Sequence, residues 1–384
     1  MFVVRTGICN ALRWKEILGL EPNGLSPLPA IVKDFEGESA SDQGTAVAGI
    51  AEEELSRALA ILWSPERLIT LRCGGNLVVP EQMRIYRAHD LDPTGLAMVI
   101  PTPFDTMIVQ YFADTREWAQ WATQMVDPAG LAQVGERVSP GVMDFGELLH
   151  LLHTADMYRR LYYESMLDYI PAGELTFSAA HYAEAMHNAV TSGDYRWLVP
   201  CLLYMLPNGR PVRIAGIGAR FASMEQWGLI TSQRQEEGDA VCRFTQQGTI
   251  WGLEFMTRWI SAMGVTVATV NGDSESGDRG LFLLGTTLSI HAFHLWDAGG
   301  NASIEHTVLD GEGATRLLEA HATLEAAGGV TEPAPSPVPE PSADVPYSSE
   351  SSEPVLIRCT QCGCKVGSED RFCIECGAEI IRQK

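Results

Sequence analysis

Apolar residues recur at three- and four-residue spacing along "AEEELSRALAIL" (Ala51 to Leu62), "TREWAQWATQMV" (Thr115 to Val126), "TIWGLEFMTRWISAM" (Thr249 to Met263) and "GEGATRLLEAHATLEA" (Gly311 to Ala326). Each stretch predicts a helix with one buried face. Shorter apolar runs predict strands: "RLITLR" from Arg67, "VTVATV" from Val265, and two pairs of runs about a turn, Gly95 to Asp114 and Gly280 to Ala298. The order helix, strand, strand pair, helix thus occurs twice.

Such an order is common in α/β chains and can recur by chance. Gly95-Leu96 nevertheless pairs with Gly280-Leu281, and "QYFAD" with "HLWDA", with an offset of one residue over about twenty. A duplicated unit is the better account of both halves. Between them, Phe145 to Ile170 and Phe177 to Leu206 again carry apolar residues at helical spacing. The expected fold class is α+β: a body of residues 1–325 made of two pseudo-repeated α/β units, about 1–143 and 207–325, with a helical insert at about 144–206.

Composition then changes. From Ala326 to Pro354 the chain reads "AAGGVTEPAPSPVPEPSADVPYSSESSEP", with proline at 333, 335, 337, 339 and 341 and almost no large apolar group. This segment lacks the apolar surface needed to offset its chain entropy, so residues 326–355 are expected to be a disordered acidic tether, stiffened toward polyproline II at its start.

Of the nine cysteines, Cys9, Cys73, Cys201 and Cys242 are scattered singly and read as free thiols. The other five fall within eighteen residues, in "RCTQCGCKVGSEDRFCIECGAEI". Cys359-x2-Cys362 and Cys373-x2-Cys376 are two thiolate hairpins of the kind that close a tetrahedral zinc site. Gly363 and Gly377 follow the second cysteine of each pair, where a tight turn needs a residue tolerant of positive φ. Cys364 is an alternative second ligand in place of Cys362; spacing favours Cys362. Residues 356–384 resemble the zinc-ribbon family. The resemblance implies one structural Zn2+ held by four cysteines, with no open position for catalysis.

Charge narrows the function. The chain carries a formal charge of −22, which repels phosphate backbones and makes nucleic acid an unlikely partner. No 18-residue window is free of charges and strong turn formers. The most apolar run, Leu281 to Trp296, holds two histidines and a Gly-Thr-Thr break, and reads as buried strands. The N-terminal sequence matches neither a secretory signal nor a transit peptide, so a cytoplasmic protein is expected.

Other candidate chemistry is weaker. Glu147-x2-His150 and His181-x2-Glu184 lie on the predicted insert helices, but only one has the direction that paired di-metal motifs use. His291 and His294 are three residues apart, on opposite faces of a strand, and read as packing or edge residues. The Gly216 to Gly218 stretch "GIG" lacks the rest of a dinucleotide fingerprint and reads as a turn. Ala219 to Gly252 looks like the end of a winged helix, with a helix, two short strands about Glu237-Gly238, and a further helix. Its arginines are matched by acidic residues, so protein contact suits it better than DNA.

No catalytic constellation stands out, and a non-enzymatic role is expected. The body, through "LSRALAILWSPERLITLR", the hairpin and helix "LAMVIPTPFDTMIVQYFADTREW" and their echo in the second half, resembles the EspG family of type VII secretion chaperones. That resemblance implies an adaptor or chaperone that binds the apolar helical tip of a secreted effector in the cytosol, with no functional residue carried over. The alternatives are a transcriptional or signalling regulator using residues 219–252 and the ribbon, and an enzyme whose site assembles only on folding.

Overall fold

A computed structural model of the chain describes residues 1–33, 50–74, 81–88, 90–102, 106–127, 129–133, 139–169, 175–205, 217–233, 240–256, 261–269, 279–298, 301–323, 356–358 and 365–367. It is a mixed helix and sheet protein of the expected α+β class.

Ten strands form one antiparallel sheet. β1 (Phe2–Gly7) is at one edge, followed inward by β5 (Thr106–Phe112), β4 (Leu96–Thr102), β3 (Glu81–Arg87) and β2 (Arg67–Gly74). β2 pairs with β10 (Ser261–Thr269), and the order continues through β11 (Arg279–Gly285), β12 (Ile290–Ala298) and β13 (Asn301–Leu309) to β6 (Val142–Asp144) at the other edge. In sequence, α3 (Ile50–Trp63), β2 to β5 and α4 (Thr115–Val126) make one side of the sheet. The same order recurs on the other as α9 (Gln246–Glu254), β10 to β13 and α10 (Gly311–Thr323). Each edge strand runs directly into a helix, β1 into α1 (Ile8–Leu18) and β6 into α5 (Phe145–Leu167).

Among the described residues, four strands lie between the flanking helices on each side where the apolar pattern predicts three. β3 and β13 are the additions. Their sequences, "EQMRIYR" and "NASIEHTVL", place charged or polar residues at most positions, so the period-2 signal of a half-buried strand is faint. The helix expected through Met263 ends at Glu254, because Ser261 to Thr266 are drawn into the ladder opposite Gly285 to Gly280. Tertiary pairing has overridden the local helical period there.

Helices cover both sheet faces. On one, α4 and α10 pack over Ile69, Leu71, Met263, Val265, Leu281 and Leu283, with Trp118 fully buried between helix and sheet. Asp114 caps α4 by accepting from the Glu117 N–H at 2.7 Å. On the other, α1, α2 (Leu28–Lys33) and α3 cover the first side, burying Leu55, Leu59, Leu62 and Trp63 against Leu68, Met107 and Val109. The second side is covered by α5 with α6 (Ala179–Thr191), α7 (Leu198–Met205), α8 (Ile217–Gln226) and α9. α7 comes so close to β10 that a Cβ on Gly264 would overlap the Met205 carbonyl, so only glycine fits.

α5 is the axis of this second cluster. Leu148 to Arg159 are all buried, so the helix is surrounded instead of amphipathic over that length. Beside it lies a second sheet of three strands, ordered β7 (Thr176–Ser178), β9 (Val241–Phe244), β8 (Ile230–Gln233). The order α5, β7, α6, α7, α8, β8, β9 with that strand pairing is the layout of a winged helix with α7 added between its second and third helices, and it joins residues on both sides of position 206. The Leu281 to Trp296 run forms most of β11 and β12, buried strands as expected. No helix among the described residues is long and apolar enough to cross a membrane.

Candidate functional site

The four expected zinc ligands, Cys359, Cys362, Cys373 and Cys376, and the alternative Cys364, lie outside the described residues, as does the tether. What is described is the short pair β14 (Leu356–Arg358) and β15 (Lys365–Gly367), antiparallel, with Arg358 opposite Lys365. In the body, Cys201 and Cys242 are buried and Cys73 is half-buried. Burial pushes the Cys201 thiol up to about 12, which leaves it protonated and inert at neutral pH.

The Glu-x2-His residues are engaged locally. Glu147 closes a capping box with Asp144 at the start of α5 and also accepts from Ser223 Oγ at 2.8 Å. His150 is buried, with Nδ1 3.1 Å from the Tyr182 hydroxyl. Glu184 faces solvent on α6. His153, not singled out from the sequence, sits against Tyr182 as well, its Nε2 3.2 Å from the Tyr182 carbonyl. Burial lowers its pKa to about 3.

Farther along α5, Asp156 accepts from Arg159 Nη1 at 3.0 Å and from the backbone N–H groups of Leu198 and Val199 at 3.0 and 3.1 Å. It therefore caps α7 from a neighbouring helix. Burial pushes its carboxyl up to about 6 against the pull of Arg159 and the two amides.

His291 and His294 do face opposite sides of β12. His294 meets His321 of α10 edge-on, with ring centroids 5.7 Å apart. His291 belongs to a buried polar network that its spacing did not reveal. Glu254, the last residue of α9, accepts from Ser289 Oγ at 2.5 Å and Thr286 Oγ1 at 3.2 Å, and lies 3.2 Å from His291 Nε2. His291 Nδ1 is 3.0 Å from Nε2 of His306 on β13. A proton on each Nε2 satisfies the chain, with His306 donating to His291 and His291 to Glu254. His306 Nδ1 is then a bare nitrogen with no hydrogen-bond partner among the described residues, and burial lowers that histidine to about 3.

Ser289, His291 and His306 stand in the order of nucleophile, base and orienting group. Here the hydroxyl is engaged by Glu254 and every member is buried, so the network ties the end of α9 to the β11–β12 turn and to β13. The only sequence clue to it is a histidine at an inward position of an otherwise apolar strand.

The solvent-facing feature that stands out is the end of α5. Tyr163, Met166 (59% exposed), Leu167 (78%) and Tyr169 (95%) project there, and Tyr169 has φ +58. An apolar cluster of this kind marks interaction surfaces more often than chance exposure. Ring contacts tie Tyr163 to the core: Tyr163 meets Tyr162, Tyr162 stacks on Tyr158, and Tyr158 meets Phe244 edge-on at 5.1 Å. Ile250 and Leu253 of α9 are also exposed.

No family model and no curated protein matches this chain. Among solved structures it is similar to the Mycobacterium tuberculosis type VII secretion system chaperone EspG5, determined in complex with a PE25–PPE41 dimer. The TM-score is 0.36 at 9% identity, covering 83% of this chain and 94% of the other. A likeness of that size fixes neither fold nor function.

Proposed function

We propose that the protein is a non-enzymatic adaptor or chaperone that binds another protein through an apolar helical surface. The supporting observation is the exposed cluster Tyr163, Met166, Leu167 and Tyr169 at the end of α5, a helix enclosed along Leu148 to Arg159. A ridge on an enclosed helix docks with its backbone already ordered, which lowers the ordering cost to that of its side chains. In this reading the two sides of the ten-stranded sheet are a duplicated unit that carries the α5-centred helices. Residues 356–384 form a zinc ribbon with Cys359, Cys362, Cys373 and Cys376 as ligands, tethered by residues 326–355 as a docking module in the cytoplasm. A helical secreted effector is the client that the sequence resemblance implies.

The test is co-purification of the full chain with helical-hairpin secretion substrates expressed from the same genomic neighbourhood. Capture that disappears on replacing Leu167 and Tyr169 by serine supports the reading. No capture, together with a shift of duplex DNA at moderate salt, overturns it.

A second reading, a regulator, is favoured by one observation: the strand order β7-β9-β8, with α8 running directly into β8. The last turn of that helix carries Glu225, which accepts from the Ser232 N–H and hydroxyl at 2.8 and 2.5 Å. A carboxylate there repels a phosphate backbone, so a protein partner suits this module better than DNA.

A further inference from the structure

We infer that the C-terminal end of α5 docks a basic amphipathic helix of the partner. This deepens the protein-binding reading above and rests on it.

At 3.6 residues per turn, Tyr163, Met166 and Leu167 share one arc of α5, since they are separated by three and four positions. Arg160, Glu164 and Asp168 form the adjacent strip. The remaining arc, through Tyr158 and Ser165, is buried. The exposed surface is therefore an apolar stripe with a charged stripe beside it. A helix is the element that matches such a ridge, because its own side chains at three- and four-residue spacing leave a groove of the same pitch.

The sign of the charged stripe selects the partner. Arg160 Nε is 3.0 Å from Glu164 Oε1, so those two charges offset each other. Asp168 follows as the C-cap residue, exposed, where the helix already presents the negative end of its dipole. The stripe is thus net negative at its tip, on a chain of formal charge −22. An acidic helix would meet repulsion both locally and at long range, whereas lysine or arginine beside an apolar stripe would be attracted to Asp168 and to the faces of Tyr163 and Tyr169.

The probes are two fluorescent peptides of about 18 residues, five helical turns. They share one leucine stripe and differ in carrying lysine or glutamate on the polar face. Against the full chain at low salt, the basic peptide is expected to bind at least about ten-fold more tightly, and the gap should close at high salt as the charges are screened. The triple variant Met166→Ser, Leu167→Ser, Tyr169→Ser should lose at least about ten-fold in affinity with an unchanged melting curve, since all three side chains are exposed. Asp168→Lys should shrink the preference for the basic peptide.

If both peptides bind equally and the triple variant releases both, the basic partner is refuted while the apolar docking surface stands. If neither peptide binds, the inference and the docking role of this surface fall together. Self-association of the chain in sedimentation that the triple variant abolishes would assign the surface to a second copy and also overturn the inference.

Discussion

Replacing Asp156 by alanine should destabilise the body by about 3–5 kcal/mol. The carboxylate accepts three hydrogen bonds, from Arg159 and from the first two amides of α7, and both charged side chains are buried, at 5% and 4% exposure. Removing it leaves a guanidinium without its counter-charge, the case in which breaking a buried pair costs about 3–5 kcal/mol. Two helix-terminal N–H groups lose their acceptor in the same step. Arg159 stays partly held by the Arg196 carbonyl at 3.2 Å and by the Trp197 ring, 5.0 Å from its guanidinium, so the cost should not exceed that range. The assay is urea unfolding followed by circular dichroism, with tryptophan fluorescence as a second probe because Trp197 sits over the pair. The double variant Asp156→Ala, Arg159→Leu should be more stable than Asp156→Ala alone, because it removes the stranded charge as well. A loss under about 1 kcal/mol for the single variant, or a double variant no better than the single, would refute this account of Asp156.

Other outcomes follow from the same structure. Metal analysis should find about one zinc per chain, and Cys373→Ser should abolish it while leaving the unfolding of the body unchanged, as a tethered module requires. Stability should fall as pH drops from about 7 toward 4. His153 and His306 have folded-state values near 3, below the ordinary 6.5, so their contribution is complete above about 6.5 and is lost as pH falls through that window. Asp156, raised to about 6, works in the opposite direction, contributing most below about 4 and losing that contribution as pH rises through 6, but it is one group against two. The variant His306→Gln should flatten the dependence of the urea midpoint on pH between 7 and 5; an unchanged slope would count against a buried neutral histidine. Gly264→Ala should cost about 1–3 kcal/mol or more, since the added methyl overlaps the backbone of Met205, and a neutral result in thermal melts would mean that α7 moves freely over β10.

Much of the secondary structure was legible from period alone. The windows from Ala51, Thr115 and Phe145 became α3, α4 and α5 with ends shifted by a few residues, and α10 lies within the window from Gly311. β2, β4, β5, β10, β11 and β12 lie where apolar runs predicted them. The polar strands β3 and β13 were not legible. The buried members of β3, Ile85, Tyr86 and Arg87, are consecutive, and those of β13, Ile304 and His306, are only two, so neither strand shows a clear period. The helix, two-strand and helix order within 219–252 was readable from the sequence, though the Glu237-Gly238 turn itself lies outside the described residues. Its third strand, β7, lies more than fifty residues upstream, and nothing local announces that pairing.

The sequence by itself determined what depends on neighbours along the chain: helical and strand periods, turn chemistry, the cysteine spacing of the tail, and a net charge that turns away phosphate. These properties are set within a few residues, so they survive without a fold. Only the tertiary structure decided that β2 lies beside β10, about 190 residues away, and that Glu254, Ser289, His291 and His306 converge in one buried network. It also decided that α5 is enclosed along Leu148 to Arg159 and bare at Met166 to Tyr169, although apolar residues continue through both parts. Burial is a property of what packs around a side chain, and for α5 those neighbours, chiefly α6 to α9 and β13, come from segments farther along the chain.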